Sequence, residues 1–118
     1  NMKMVSVAFN SLQYRCDGRL CSIALDKKSK IMHQADDEDC RNIVSFTLNT
    51  QGVEVGIFFD ECDDFVRISF RCRNSYAVDV LANYFGGGGH IFASGCRIQG
   101  TLQEIYPLVM AKAEELFA

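Results

Sequence analysis

The sequence has no tryptophan, one proline and two histidines. It has no run of 18 apolar residues, so no segment reads as a membrane-spanning helix. With only His33 and His90 present, a site built on several imidazole ligands is excluded. The cysteines stand at 16, 21, 40, 62, 72 and 96. No Cys-x-x-Cys pair occurs, which removes the usual zinc and dithiol-redox patterns. All six read as reduced thiols of a cytoplasmic protein, with a Cys16–Cys21 bridge across a turn as the alternative. The opening residues lack the apolar stretch of a secretory signal. A start at Asn1 rather than methionine suggests a processed chain or a piece of a longer one.

A strong charge of one sign is missing as well. Twelve basic and fifteen acidic residues give a net charge of −3. Their distribution is more informative. Nine acids and one base, Arg41, fall between Asp36 and Phe65. Four arginines (67, 71, 73 and 97) and one acid, Asp79, fall between Val66 and Gly100. Any anion site therefore belongs in the second stretch. The rival reading is two solvated faces of opposite sign.

What is present suits one domain. The 118 residues are 48% hydrophobic and 23% charged, an ordinary globular balance for a chain of this length. Residues 1–17 are hard to read. Leu20–Leu25 reads as a strand and Lys27–Gln34 as a short helix. The acidic run at 36–39 precedes an apolar-periodic segment (Ile43, Val44, Phe46), where carboxylates cap a helix start. Val53–Phe59 and Phe65–Cys72 are β-rich runs joined by a short acidic loop, the pattern of an antiparallel hairpin. The two-residue period places Arg67, Ser69 and Arg71 on one face of the second run, and Arg73 continues it. Ser75 is a candidate N-cap. Val78, Leu81, Ala82 and Phe85 follow the i, i+3, i+4, i+7 spacing of a buried helical stripe. Cys96–Ile98 reads as a brief strand. Thr101 and Glu104 have capping-box spacing at the head of a helix running to Phe117, with Pro107 awkward inside it. The whole predicts an α/β (α+β) domain, a mixed sheet of about four to five strands with helices packed on it.

The most informative stretch is Phe85-Gly86-Gly87-Gly88-Gly89-His90. Glycine lets the backbone approach a ligand closely. Where such a loop runs into a helix, its free N–H groups converge on a spot that favours an anion, and His90 can donate to a phosphate at its edge. A flexible hinge with a surface histidine is the competing reading. No Gly-Lys-Ser/Thr follows the glycines, they follow a helix rather than a strand, and no Gly-x-Ser-x-Gly elbow occurs.

Taken in order, Val66-Arg67-Ile68-Ser69-Phe70-Arg71-Cys72-Arg73, Ala77-Val78-Asp79-Val80-Leu81-Ala82, the glycine–histidine stretch and Ala93-Ser94-Gly95-Cys96 resemble a known family. It is the C-terminal, DHH-associated substrate-binding domain of the Asp-His-His phosphoesterases. The branch is the nano-RNase (oligoribonuclease) and phosphoadenosine-phosphate phosphatase type, also labelled exopolyphosphatase-related. The resemblance covers roughly residues 20–99. It implies that Arg71, Gly87, Gly88, Gly89 and His90 touch a nucleotide phosphate or terminal base, with Ser69, Arg73 and Ser94 as lesser candidates. It implies short RNA or nucleotide phosphates as ligand, a bacterial cytoplasmic setting, and homodimerisation of the intact protein. Manganese and the cleavage chemistry are expected on a separate N-terminal domain, because this chain carries no Asp-His-His. On that reading 1–118 is one substrate lobe, inactive alone, with 1–17 a linker from the catalytic domain. A tRNA-type binding module, as in the related domain of alanyl-tRNA synthetases, is the alternative.

Overall fold

The structure, a computed structural model, describes residues 11–29, 52–73 and 76–118. Residues 27–29 open a helical turn, with the Ser29 N–H donating to Asp26 Oδ1 at 2.7 Å. The remainder of the helix expected there, the acidic run at 36–39, the apolar segment after it and Ser75 lie outside the described residues.

Among the described residues six strands make one mixed sheet in the order β1-β2-β3-β4-β6-β5. They are β1 Gln13–Arg15, β2 Leu20–Leu25, β3 Val55–Glu61, β4 Phe65–Cys72, β5 Gly88–His90 and β6 Ala93–Gln99. Only β2 and β3 pair in parallel, and every other neighbour is antiparallel. Complete among the described residues are the helices α1 Asp79–Tyr84 and α2 Leu102–Glu114, the latter continued by a 3-10 turn at Glu115–Phe117.

The α+β class stands, with more strands than expected. The additions, β1 and β5, are three-residue edge strands, and β6 begins at Ala93 rather than Cys96. Within the stretch expected as a linker, Gln13–Arg15 pairs with Leu20–Ser22, and Ser11 Oγ accepts from the Ala24 N–H at 3.0 Å. Helix α1 starts after Val78, its N-cap.

Alternation along the strands decides which face meets the helices. Val55, Ile57 and Phe59 of β3, Ile68, Phe70 and Cys72 of β4, and Cys96 of β6 are buried on one face. Val78, Leu81 and Ala82 pack there from α1, and Ile105, Val109, Met110 and Ala113 from α2. The α2 stripe recurs at i, i+4, i+5 and i+8, one side of a helix. Burial of such side chains contributes about 1.5–3 kcal/mol each, which makes this layer the main source of stability. On the opposite face Cys21, Ile23, Leu25 and Phe58 are buried too, whereas Arg67, Ser69 and Arg71 of β4 are half-buried.

The capping box at α2 is complete. Thr101 Oγ1 accepts from the Glu104 N–H, and Glu104 Oε1 accepts from the Thr101 N–H at 3.2 Å. Glu61 adds to it, its carboxylate taking the N–H groups of Leu102 and Lys27, both at 2.9 Å. Pro107 does not end the helix. Both it and Gln103, whose carbonyl loses its i+4 donor, are exposed, so water can satisfy that oxygen.

Candidate functional site

The glycine run begins where α1 ends. The Gly86 N–H donates to the Asn83 carbonyl at 3.1 Å and the Gly87 N–H to the Ala82 carbonyl at 2.8 Å. With Gly86 at φ 85°, these are the two bonds of a Schellman cap. The chain then enters β5 rather than a helix. This corrects the expectation of a loop aimed at a helix N-terminus. The run leaves the negative end of a short helix, and two of its four amides are occupied in closing that helix. The glycines here are chiefly demanded by the fold. A Cβ on Gly87 would lie 2.1 Å from the Gly95 carbonyl oxygen, and one on Gly89, at φ 142°, would lie 2.7 Å from Ser94 Cα.

Register places the side chains. Residues paired across a sheet point to the same face. Arg71 pairs with Ala93, and Ala93 pairs with His90, so the guanidinium and imidazole share one row on the face away from the helices. Their backbones stand two strand spacings apart, about 10 Å. Ala93 between them is too small to fill the gap. The next row is Ser69, Gly95 and Gly88, a stretch without a side chain on β6 or β5. The row after that holds Asp60, Arg67 and Arg97.

Around these rows lies an open cleft of about 470 Å³, lined among others by Arg67, Ser69, Gly86, Gly87, Gly95 and Arg97. Arg71 and His90 stand beyond its lining, one row further along the strands. The Arg71 guanidinium donates to its own Phe70 carbonyl at 3.2 Å, and no ion pair engages it among the described residues. Arg97 lies over the Phe65 ring, 5.0 Å from its centroid. Cys96 also touches the cleft, but burial pushes its thiol up to about 11, which leaves it un-ionised at neutral pH.

The expected site residues therefore separate. Arg71, His90, Ser69 and Gly88 occupy adjoining rows of one face. Arg73 follows β4, and its N–H donates to the Glu54 carbonyl at 3.0 Å. Ser94 does not belong with them. It is buried on the helix face, and its hydroxyl donates to the Val78 carbonyl at 2.7 Å, tying β6 to the start of α1. Arg97 was not among the expected site residues, and neither was the directly opposite Arg67. Alternation in β4 did indicate the side of Arg67, but its pairing with Arg97 depends on register between strands distant in sequence.

Metal binding is a separate matter. Among the described residues no three His, Cys, Asp or Glu side chains converge as ion ligands.

The chain is similar to proteins of one kind. It is 29% identical over 80 residues to the bifunctional oligoribonuclease and PAP phosphatase NrnA of Thermus thermophilus, covering 67% of this chain and 25% of that protein. With the NrnA of Bacillus subtilis it shares 40% identity over 50 residues, 42% of this chain and 16% of that one. The matched stretches thus span a quarter or less of these relatives. Its fold is that of an exopolyphosphatase-related protein from Bacteroides fragilis, with a TM-score of 0.86 at 23% identity over 98% of this chain and 35% of that chain. A pGpG-specific phosphodiesterase, PggH of Vibrio cholerae, shares it at a TM-score of 0.69 and 16% identity, over 98% of this chain and 38% of that chain. A family model described as the DHHA1 domain matches residues 15–118, nearly the whole length, and the chain belongs to the DHHA1 domain family, the domain associated with DHH phosphoesterases.

Proposed function

We propose that this domain holds the phosphate-bearing end of a short oligoribonucleotide or nucleotide while a separate DHH domain performs the hydrolysis. The observation that carries the reading is the shared row of Arg71 and His90 across Ala93. A guanidinium gives a planar fork of donors suited to phosphate, and an imidazole gives one more N–H from the other side. Gly88, with no side chain, leaves the floor beside them open to a ligand. The phosphate contacts come from side chains, since the Gly86 and Gly87 amides serve the helix cap. The domain's part in the reaction is positional: fixing one end of the substrate orients the scissile phosphate at a site elsewhere.

Charge-assisted hydrogen bonds contribute about 1.5–3 kcal/mol each, against association costs of about 4–15 kcal/mol. A few such bonds leave little surplus, so the 118-residue chain should bind weakly and in a salt-sensitive way. Calorimetry with 5′-phosphorylated di- and trinucleotides at low salt tests this. Arg71→Gln and His90→Ala should each lower affinity about tenfold with melting curves unchanged. Unaltered binding in both variants would sink the proposal, as would a clear preference for folded tRNA over short fragments. Manganese-dependent phosphatase activity is expected to be absent from this chain, and turnover lost in His90→Ala would contradict that.

A further inference from the structure

Arg67 and Arg97 stand directly opposite each other on β4 and β6. Like charges at such positions, with Cβ atoms about 5 Å apart, repel and destabilise a sheet. Asp60 is the one acid at the register positions of this row, against two arginines. Both arginines line the cleft, and the Phe65 ring supports Arg97 from the side. Between this pair and the Arg71–His90 row lies the row of Ser69, Gly95 and Gly88, a floor bare except for one hydroxyl. Gly95 is confined to that role, because a Cβ there would sit 2.9 Å from the Ile68 carbonyl oxygen.

The spacing decides what the pair can hold. Four residues along β4 separate Arg71 from Arg67, about 13 Å at 3.3–3.4 Å per residue. Strand side chains stand roughly perpendicular to the sheet, so the two positions present their guanidinium forks at separate points rather than to one phosphate. We propose that Arg67 and Arg97 form a second anion station that receives an internal phosphate of the ligand. The domain then takes a linear, multi-phosphate oligonucleotide laid along β4, rather than only a mononucleotide. Ser69 lies midway and donates to the strand as it passes. The inference rests on the reading of Arg71 and His90 as the end-holding station and adds chain length as the property the domain senses.

The experiment compares two probes on the 118-residue chain, 5′-AMP and the 5′-phosphorylated triadenylate, by fluorescence competition across a salt series. Arg67→Gln and Arg97→Gln should each weaken the triadenylate about five- to tenfold and lower its salt slope by about 1, with AMP within about twofold of the unmodified chain. Arg71→Gln should weaken both probes. If Arg71→Gln and His90→Ala move neither probe, the end-holding reading fails and this inference with it. If those variants weaken both probes while Arg67→Gln and Arg97→Gln weaken neither, or weaken both equally, the second station alone is overturned. Thermal melts of the glutamine variants should match or exceed the unmodified chain, since one of two repelling charges has gone.

Discussion

Gly87 and Gly88 are neighbours, yet the surrounding backbone treats a methyl group on each very differently. At Gly87 a Cβ would press against the Gly95 carbonyl oxygen and the Cys96 backbone, neither of which can rotate away. At Gly88 it would meet only Asn83 Oδ1, at 3.7 Å, an ordinary contact. Gly87→Ala should therefore cost about 3 kcal/mol or more, because β5 and β6 must separate. Gly88→Ala should leave stability unchanged or raise it by about 0.5–1 kcal/mol, as alanine loses less backbone entropy than glycine in a strand. Urea unfolding midpoints of the two variants check this. The contrast bears on function too. Of the glycine run, Gly88 alone has neither a positive φ nor a steric need for glycine, so a loss of nucleotide binding in Gly88→Ala would reflect the ligand's approach rather than a damaged fold.

At the scale of elements, what was legible in the sequence is what local chemistry controls. Leu20–Leu25 and Phe65–Cys72 have the bounds the sequence predicts, and Thr101 with Glu104 marks the start of α2. Removing that cap is a direct test. Thr101→Ala should cost about 1 kcal/mol by chemical denaturation. Loss well below that would mean that Glu61, which also takes the Leu102 N–H, is sufficient for the helix start. Elements made by a partner were not legible. Gly-Gly-His and Ala-Ser-Gly are poor strand formers, and they pair because the turn between them is pinned elsewhere. The Ile91 carbonyl accepts from the Val78 N–H at 2.8 Å and the Phe92 carbonyl from the Cys72 N–H at 3.2 Å. The glycine run misled for the same reason. Its composition signals close approach, but whether the approach is to a ligand or to β6 is settled by residues some eight positions later. For the candidate site, the arginine face of β4 was readable from its period of two, while Arg97 and the inward turn of Ser94 were properties of register.

The molecule as a whole is a sheet buried on both sides over β2 and β3, and its thiols report on that. Cys21 points away from the helices and Cys96 toward them, and both are buried. Burial disfavours the thiolate and raises each from an ordinary 9.0 to about 11. In the unfolded chain these thiols ionise around the ordinary value, so above it the unfolded state is favoured by proton loss that the folded state resists. The stability tied to this difference is fully present below pH 9 and disappears as pH rises through about 11. Unfolding free energy should accordingly decline from about pH 9 upward, and the decline should be shallower in a Cys21→Ala, Cys96→Ala double variant, whatever its absolute stability. The same burial should make both thiols slower toward a disulfide reagent than half-exposed Cys62, by peptide mapping after a timed pulse. Equal labelling of Cys21 and Cys62 would mean that the face opposite the helices opens readily. Because Arg67, Ser69 and Arg71 lie on that same face, such opening would also remove the rigid row on which the nucleotide reading depends.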